Sequence, residues 1–223
     1  MHIIYEDECL LLCEKPVGVL SQAGGDTNLP QLLSEYRRGH GEAPEVYPLH
    51  RLDRGVGGLM AFAKDSSTAA VLSAAIRQGD FRKEYLAVLH GTPEAKSDTL
   101  TDLLYHDPQR NKSYIVQRSR RGVREASLTY TVLGTAETES GTLTLVKALL
   151  HTGRTHQVRV QFAGRKMPLW GDRSYGAPEK GNIALWCHHL VFLHPKTKKM
   201  IDYTLQPPTV FPWTCFTEGG NEP

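Results

Sequence analysis

The sequence lacks the features of membrane, secreted and repetitive proteins. Its longest apolar stretches, such as residues 69–76, are far shorter than the ~18 residues that a membrane-spanning helix needs. Residues 1–7 do not have the layout of a signal peptide, and we find no internal repeat or low-complexity segment. The 223 residues therefore predict one large domain or two fused lobes, and we expect a cytoplasmic protein.

Motifs for common cofactors and nucleophiles are also missing. The chain has no G-x-x-x-x-G-K-[ST], no strand-linked G-x-G-x-x-G and no G-x-S-x-G, which argues against NTPases, dinucleotide enzymes and serine hydrolases. The four cysteines form no C-x-x-C pair and predict free, mostly buried thiols. His188 and His189 are adjacent on a predicted strand and point to opposite faces, and no H-x-x-x-H lies on a helix. We therefore expect no metal site.

Net charge is small, at +2, so the distribution of charge is more informative than its sum. One basic segment, residues 110–124, contains six arginines and lysines and no acidic residue. A second cluster consists of Lys196, Lys198 and Lys199. Either cluster fits a solvated hairpin flank or a surface that contacts phosphates, and charge alone leaves both interpretations open.

Periodicity predicts many strands and few helices. Helices are predicted at residues 29–38 and 66–78, with Ser66 as the N-cap of the second, and a short third helix is capped by Thr155 and ends near Gly164. Strands are predicted at residues 9–13, 59–63, 83–90, 113–117, 125–133, 142–149, 183–192 and 199–205. Because strands and helices do not alternate regularly, this pattern favours an α+β fold with a largely antiparallel sheet.

Residues 50–54 form the first candidate site, because Asp53 lies between cations at the start of an apolar strand. Burial of such an acid requires pairing, and pairing keeps the carboxylate ionised. An ionised, partly desolvated carboxylate is a competent nucleophile or base, and the glycines that follow allow close approach of a substrate. The same residue types also fit a salt-bridged surface turn.

Two other segments carry candidate residues. Residues 153–159 place two guanidinium groups, an imidazole and an amide around a helix start, which suits a phosphate or the carboxylate of Asp53 but also fits a polar helix cap. Tyr85 begins an apolar strand after Arg82 and Lys83. Its ring fits either a stacking platform for a base or ordinary strand packing.

The order of several short motifs is more specific than any one of them. Along about residues 3–207, nearly the whole chain, it closely resembles the RluA family of pseudouridine synthases. The matching segments are residues 14–18, 50–54, 82–85, 152–159, 171–176 and 192–195.

This resemblance implies roles for individual residues. Asp53 takes the place of the catalytic nucleophile, and Arg159 that of the arginine that pairs with its carboxylate. Tyr85 is the stacking residue, and Leu185 packs the other side of the target base. Arg51 matches a position that can fill the space left by an extruded nucleotide. The other substrate-binding candidates from the same motifs are His50, Arg54, Arg154, Thr155 and His156.

The resemblance also implies an architecture and a partner. The family fold is a mixed sheet in two half-domains that flank a central active-site cleft. No metal and no cofactor are implied, and the partner is a structured RNA, either rRNA or tRNA. Because the catalytic pattern begins within the first ten residues, we expect residues 1–223 to be a single catalytic domain without an S4 RNA-binding domain, and we expect a monomer that does not bind membranes.

Two departures from the family pattern keep other interpretations open. After Arg54 the family usually has a variable residue and then Thr-Ser-Gly, whereas this chain has Gly55, Val56, Gly57 and Gly58 and lacks two hydroxyls. A usual Leu-His-Ala run is residues 185–187 here, Leu-Trp-Cys. The alternatives are a non-catalytic RNA-binding or RNA-folding protein and a metal-dependent hydrolase that uses Asp53, His50 and His156.

Overall fold

The computed structural model describes residues 2–25 and 27–216. The chain forms two compact units, of which the first comprises Met1–Lys83 and Trp186–Gln206 and the second Glu84–Leu185 and Pro207–Pro223. Both contain a β-sheet with few helices. The predicted α+β class with a mixed sheet is therefore confirmed.

The first unit combines two helices with a sheet of short strands. Strand β4 pairs antiparallel with β2 and β3 and parallel with β10, while β10 pairs antiparallel with β11 and β2 with β1. The elements are β1 (Ile3–Glu6), β2 (Leu10–Lys15), α1 (Leu29–Gly39), β3 (Tyr47–Pro48), β4 (Gly57–Ala63), α2 (Ser66–Gln78), the start of β5 (Phe81–His90), β10 (Leu185–Leu193), whose first residue is in the second unit, and β11 (Met200–Thr204).

The second unit is built on long antiparallel strands. In the sheet, β5 pairs with β9, β9 with β8, β8 with β6 and β6 with β7. The remaining elements are β6 (Ser97–Asp107), β7 (Lys112–Val116), β8 (Val123–Thr138), β9 (Gly141–Leu150), α3 (Gln157–Ala163) and the 3₁₀ turns Arg173–Tyr175 and Trp213–Phe216.

Apolar runs explain where each core lies. Every residue of β4 is buried, as in strands that are covered on both faces. In the second unit, α3 packs Val160 against Leu104 of β6 and Ala126 of β8. Gly164 ends this helix beside Ile115 of β7, where a Cβ atom would lie 2.4 Å from the isoleucine Cδ1. The absence of a side chain therefore lets α3 approach β7 closely.

Several sequence predictions need correction. The sequence does not predict strands β1, β3 and β6, and β6 escapes a periodicity search because seven of its eleven residues are polar or charged. The N-cap of α2 is Asp65, whose Oδ1 accepts a hydrogen bond from the Thr68 N–H at 2.7 Å, and not Ser66. Helix α3 begins after His156, so Thr155 is not its cap. No helix among the described residues is long and apolar enough to cross a membrane.

Candidate active site

Asp53 lies on a short turn that enters β4. The Val56 N–H donates to the Asp53 carbonyl at 3.0 Å and closes the turn. A second connection joins this turn to the loop after β2, because the Gly18 N–H donates to the Arg54 carbonyl at 2.8 Å and Arg54 Nε donates to the Gly18 carbonyl at 3.0 Å. Ser21 Oγ also donates to the Leu52 carbonyl at 2.8 Å. The backbone around Asp53 is thus held from both sides.

Lys15 is the charged group at the centre of this arrangement. Its side chain ends β2 with no exposed surface. Nζ donates to the carbonyls of Pro16 at 2.9 Å, Val19 at 2.7 Å and Arg54 at 3.4 Å. Burial lowers the pKa of Lys15 to about 8, and the negative charge of Asp53 opposes this shift. Lys15 is therefore still largely protonated at neutral pH and can donate all three bonds.

The other residues of the 50–54 motif have different surroundings. His50 Nε2 accepts a hydrogen bond from the Ala61 N–H at 3.2 Å, and its ring lies 5.9 Å from that of Phe81. Burial lowers the pKa of His50 to about 3, and the charge of Lys83 adds to this shift. These contacts give His50 a structural role beside β4. Arg51 is exposed, and its Nη1 donates to Gln22 Oε1 at 3.4 Å.

Arg159 is buried on α3 in the second unit, where it binds Asp172. Arg159 Nε donates to Asp172 Oδ2 at 2.6 Å, and Nη2 donates to Oδ1 at 2.9 Å, which is a bidentate ion pair. The Arg159 side chain is 6% exposed and that of Asp172 1%. Gly171 precedes Asp172 with φ +78°, and a Cβ atom there would lie 2.4 Å from the Asn182 carbonyl oxygen. Glycine is therefore needed for the turn that presents Asp172.

Tyr175 connects this ion pair to β7. The Arg159 guanidinium lies 5.0 Å from the centre of the Tyr175 ring. The Tyr175 hydroxyl accepts a hydrogen bond from the Ser113 N–H at 2.7 Å and lies 3.0 Å from His156 Nδ1. His156 has φ +54°, a left-handed conformation that is unfavourable for a residue with a side chain. Contacts with Tyr175 thus help to hold His156 in a strained conformation at the start of α3.

Gln157, the first residue of α3, binds the loop before the helix and the strand β8, and no side chain caps this helix. Its Oε1 accepts from the Arg154 N–H at 3.0 Å and from Thr152 Oγ1 at 2.7 Å, and its Nε2 donates to the Ser127 carbonyl at 3.0 Å. Arg154 Nε donates to the Glu125 carbonyl at 2.9 Å. The loop before α3 is therefore fixed to β8 by side-chain bonds.

Tyr85 and Leu185 are buried residues of the second unit. Tyr85 lies on β5 opposite Ala148 of β9 and is 6% exposed. Leu185, the first residue of β10, is also 6% exposed. Asp53, His50, Arg51 and Arg54 thus belong to the first unit. The other six predicted site residues belong to the second, as does the basic segment at residues 110–124. These six are Tyr85, Arg154, Thr155, His156, Arg159 and Leu185.

One group of side chains among residues 2–25 and 27–216 has the composition of a metal site. The ligand atoms of Asp7, Cys9 and His194 lie within 4.8 Å of one another. His194 Nδ1 accepts the N–H groups of Lys196 and Thr197, which places the proton on Nε2, and Nε2 lies 2.7 Å from Asp7 Oδ2. Burial raises the pKa of the Cys9 thiol. These bonds favour a structural role for the group, as an anchor between β1 and the turn after β10.

Sequence reasoning missed three residues that hold the candidate side chains. Lys15 and Asp172 occur in the matching motifs, but no role was predicted for either. Tyr175 lies in the same motif as Asp172. The available signals were a lysine at the end of an apolar strand and an aspartate after a glycine. The first does not identify the partner of Lys15, which is 39 residues away, and the second does not identify the partner of Asp172, which is 13 residues away.

Comparisons with known proteins agree with this fold. A human structure, RNA pseudouridylate synthase domain containing 4, superimposes with a TM-score of 0.77 at 21% identity and covers 93% of this chain and 88% of its own. Residues 9–164 match the family described as RNA pseudouridylate synthase. An RNA pseudouridine synthase of Bacillus subtilis is 30% identical over 90% of this chain and 67% of its own, and the ribosomal large subunit pseudouridine synthase C of Haemophilus ducreyi is 29% identical over 91% and 64%.

The fold is thus that of a pseudouridine synthase, and the chain belongs to the RNA pseudouridylate synthase family. The resemblance inferred from the order of the motifs is confirmed at this level. The chain spans about two thirds of the length of the curated relatives described here.

The neutral state of His50 predicts a pH dependence of stability. The pKa of His50 is about 3 in the folded chain and about 6.5 in the unfolded chain, so below pH 6.5 only the unfolded chain gains a proton on this residue. The contribution of neutral His50 to the free energy of unfolding is therefore complete above pH 6.5 and is lost as the pH falls toward 3. His50→Gln keeps an acceptor for the Ala61 N–H and cannot titrate. Between pH 6.5 and 4, urea unfolding should show the wild type losing up to ~1.4 kcal/mol per pH unit relative to this variant. Parallel curves would contradict the assignment.

The ion pair between Arg159 and Asp172 predicts large losses of stability. Asp172→Asn leaves a buried guanidinium without its carboxylate, which should cost about 3–5 kcal/mol in the free energy of unfolding. Arg159→Lys keeps the charge but not the planar fork, so it should also be strongly destabilising. Arg173→Lys, an exposed change in the same turn, is the control and should unfold like the wild type. Wild-type unfolding of Asp172→Asn would show that the pair is unimportant.

Proposed function

We propose that this chain converts uridine to pseudouridine in a structured RNA, with Asp53 as the nucleophile. The proposal depends on how the Asp53 turn is held. The fully buried ammonium of Lys15 and the Gly18 N–H both bind the Arg54 carbonyl, and these bonds fix Asp53 just before β4. A surface salt-bridged turn would not need a buried lysine. Family membership supplies the reaction.

The reaction breaks the bond between N1 of uracil and C1′ of the ribose and forms a bond between C5 and C1′. The C5 proton leaves and N1 gains a proton, so atoms and electrons balance without a redox partner or energy source. Asp53 attacks C1′ or removes a sugar proton while the base departs, and both routes require its carboxylate in the ionised form. The freed base then turns within the site before it rejoins the sugar.

Arg159 is proposed to bind the carboxylate of Asp53. Arg159 Nε and Nη2 bind Asp172 in a bidentate ion pair, and the guanidinium lies 5.0 Å from the centre of the Tyr175 ring. These contacts fix the plane of the cation that the family resemblance assigns to the Asp53 carboxylate. Rigid placement of this cation would orient Asp53 before the substrate arrives, so that no reorganisation is needed during the reaction.

Recognition of the uridine is assigned to Tyr85, Leu185 and Arg51. A uridine within a stem has to leave the base stack, which costs a few kcal/mol. Stacking on the Tyr85 ring and packing on Leu185 offset this cost, and Arg51 fills the space that the base leaves. Arg51 is exposed and long enough for such a role.

The basic segment, residues 110–124, is proposed to contact RNA phosphates. It covers β7, the loop that follows and the start of β8, and Arg118, Arg120 and Arg121 are all exposed there. The Arg120 guanidinium lies 4.9 Å from the centre of the Tyr105 ring, which orients one of these charges. The relative from Haemophilus ducreyi is named for the large ribosomal subunit. We propose rRNA or tRNA as the substrate, and mapping pseudouridines in both from cells with and without this gene would decide between them.

Asp53→Asn should abolish isomerisation and leave the fold and much of the RNA binding intact, because the amide keeps the shape but is not a nucleophile. Tritium release from RNA labelled at C5 of uridine measures the reaction. Glu35→Gln, which neutralises an exposed acid on α1, is the matched control and should be fully active. Turnover of Asp53→Asn within about tenfold of the wild type would overturn the proposal. RNA binding by a wild type without tritium release would favour the non-catalytic alternative.

Neutralising Arg118, Arg120 and Arg121 together should weaken binding without changing the chemical step. The slope of log affinity against log salt should fall by roughly two or three units, since each phosphate contact releases about one counterion. The single-turnover rate at saturating RNA should stay near wild type because phosphate contacts are equal in the ground and transition states. Tyr85→Ala should do the reverse, with a lower saturated rate and an unchanged slope.

Filter binding across a salt series and single-turnover tritium release on one RNA separate these effects. Neutralising Lys196, Lys198 and Lys199 together removes the same number of positive charges and is the matched control. An unchanged salt slope in the arginine variant would place residues 110–124 away from the RNA and make the lysine cluster the better candidate.

A further inference from the structure

Two glycines follow the Asp53 turn, and they lie beside two residues of β10. In the parallel pairing of β4 with β10, Gly57 is opposite Trp186 and Gly58 is opposite Cys187. The family pattern stated above has a serine at position 57 and a histidine at position 186, so by that resemblance Gly57 and Trp186 are both departures. The pairing of β4 with β10 places these two departures opposite each other.

Gly58 is required by the backbone. Its φ of +117° lies in the region that residues with side chains rarely adopt, and a Cβ atom would lie 2.4 Å from the Cys187 carbonyl oxygen and 2.6 Å from the Cys187 nitrogen. No change of the side chain at position 187 would relieve these contacts. The pairing of β4 with β10 therefore requires glycine at position 58.

Gly57 is required for a different reason. A Cβ atom there would lie 2.4 Å from Cζ3 and 2.9 Å from Cε3 of Trp186, and 3.1 Å from Cγ2 of Val17. The obstacle at position 57 is the indole, which is a side chain that can be exchanged. A smaller residue at position 186 would leave room for a side chain at position 57.

The indole is itself firmly held. Trp186 is 4% exposed, and its Nε1 donates to the Leu205 carbonyl at 3.0 Å. A side chain at position 57 would have to break this bond or displace the start of β4. Val17, the other neighbour of this space, precedes Gly18, whose backbone bonds to Arg54. Trp186 therefore packs where the two chain segments that hold the Asp53 turn come together.

We propose that Trp186 is a positioning residue for Asp53, and that Gly57 and Trp186 form a size-matched pair. The indole occupies the space of the missing side chain at position 57 and fixes the start of β4, four residues after the nucleophile. This role rests on the proposed function, because it acts through Asp53. Where the resemblance implies a serine at position 57, this chain therefore holds the same turn with the indole of Trp186.

A double-mutant cycle of Gly57→Ser and Trp186→His tests the pair. Each single variant should lower the single-turnover rate at saturating RNA by about tenfold to a hundredfold, since a displacement near 1 Å can cost about a hundredfold, while RNA affinity stays close to wild type. The double variant should recover most of the rate because imidazole lacks the ring atoms that would collide with the serine. Trp186→Phe keeps an aromatic ring but loses the bond to the Leu205 carbonyl, so its rate should lie between those of the wild type and Trp186→His.

Gly58→Ser with Cys187→Ala is the matched control. Its obstacle is backbone, so the second change should not restore activity or the thermal midpoint. Thermal midpoints of all variants, measured without RNA, give the coupling between positions 57 and 186 independently of catalysis.

The outcomes distinguish the two proposals. A wild-type rate in Trp186→His, single losses that simply add in the double variant, or variants that lose only thermal stability would each overturn the positioning role while leaving the proposed function intact. If the wild type releases no tritium from rRNA or tRNA, the proposed function fails and the positioning role fails with it. The thermal cycle still decides in that case whether the two residues are paired.

Discussion

The burial of one lysine ammonium is the constraint on which the candidate active site depends. A charged group without exposed surface has to be satisfied by the protein, and Lys15 is satisfied by three backbone carbonyls, two from the loop after β2 and one from Arg54. Because the donors on one nitrogen reach both segments, the loop and the turn that carries Asp53 are fixed relative to each other. Movement of the turn would break the bond from the ammonium to the Arg54 carbonyl, which is costly in a dry environment.

The second unit also fixes its candidate side chain through a buried cation, but this cation binds a carboxylate and not backbone carbonyls. Arg159 is buried with a carboxylate, and its ring neighbour Tyr175 bonds to the backbone of β7. Orientation here comes from the planar fork of the guanidinium, whereas a point charge suffices for Lys15 because it binds carbonyls in several directions. The strained φ of His156 shows that the start of α3 is determined by these contacts and not by local preference.

Local patterns predicted the elements of the fold, and long-range contacts determined the parts that were missed. The helix at residues 29–38 and the strands at residues 59–63 and 83–90 follow from apolar periodicity and agree with α1, β4 and β5. Strand β6 has few apolar residues and exists because β7 and β8 pair with it on both sides. The partners of Lys15 and Arg159 could not be predicted, since each bond joins elements whose proximity only the folded chain creates.

A departure from a family motif has to be judged together with the residues that pack against it, as Gly57 shows. In the sequence, glycine in place of the serine that the resemblance implies at position 57 leaves a non-catalytic protein open as an alternative. In the structure, the same glycine makes room for a buried indole that is bonded to the Leu205 carbonyl, while Gly58 is imposed by the backbone of Cys187. The small residue at position 57 and the large one at position 186 fit each other in volume, and volume-conserving combinations preserve packing better than single changes. The altered motif is therefore weak evidence against catalysis.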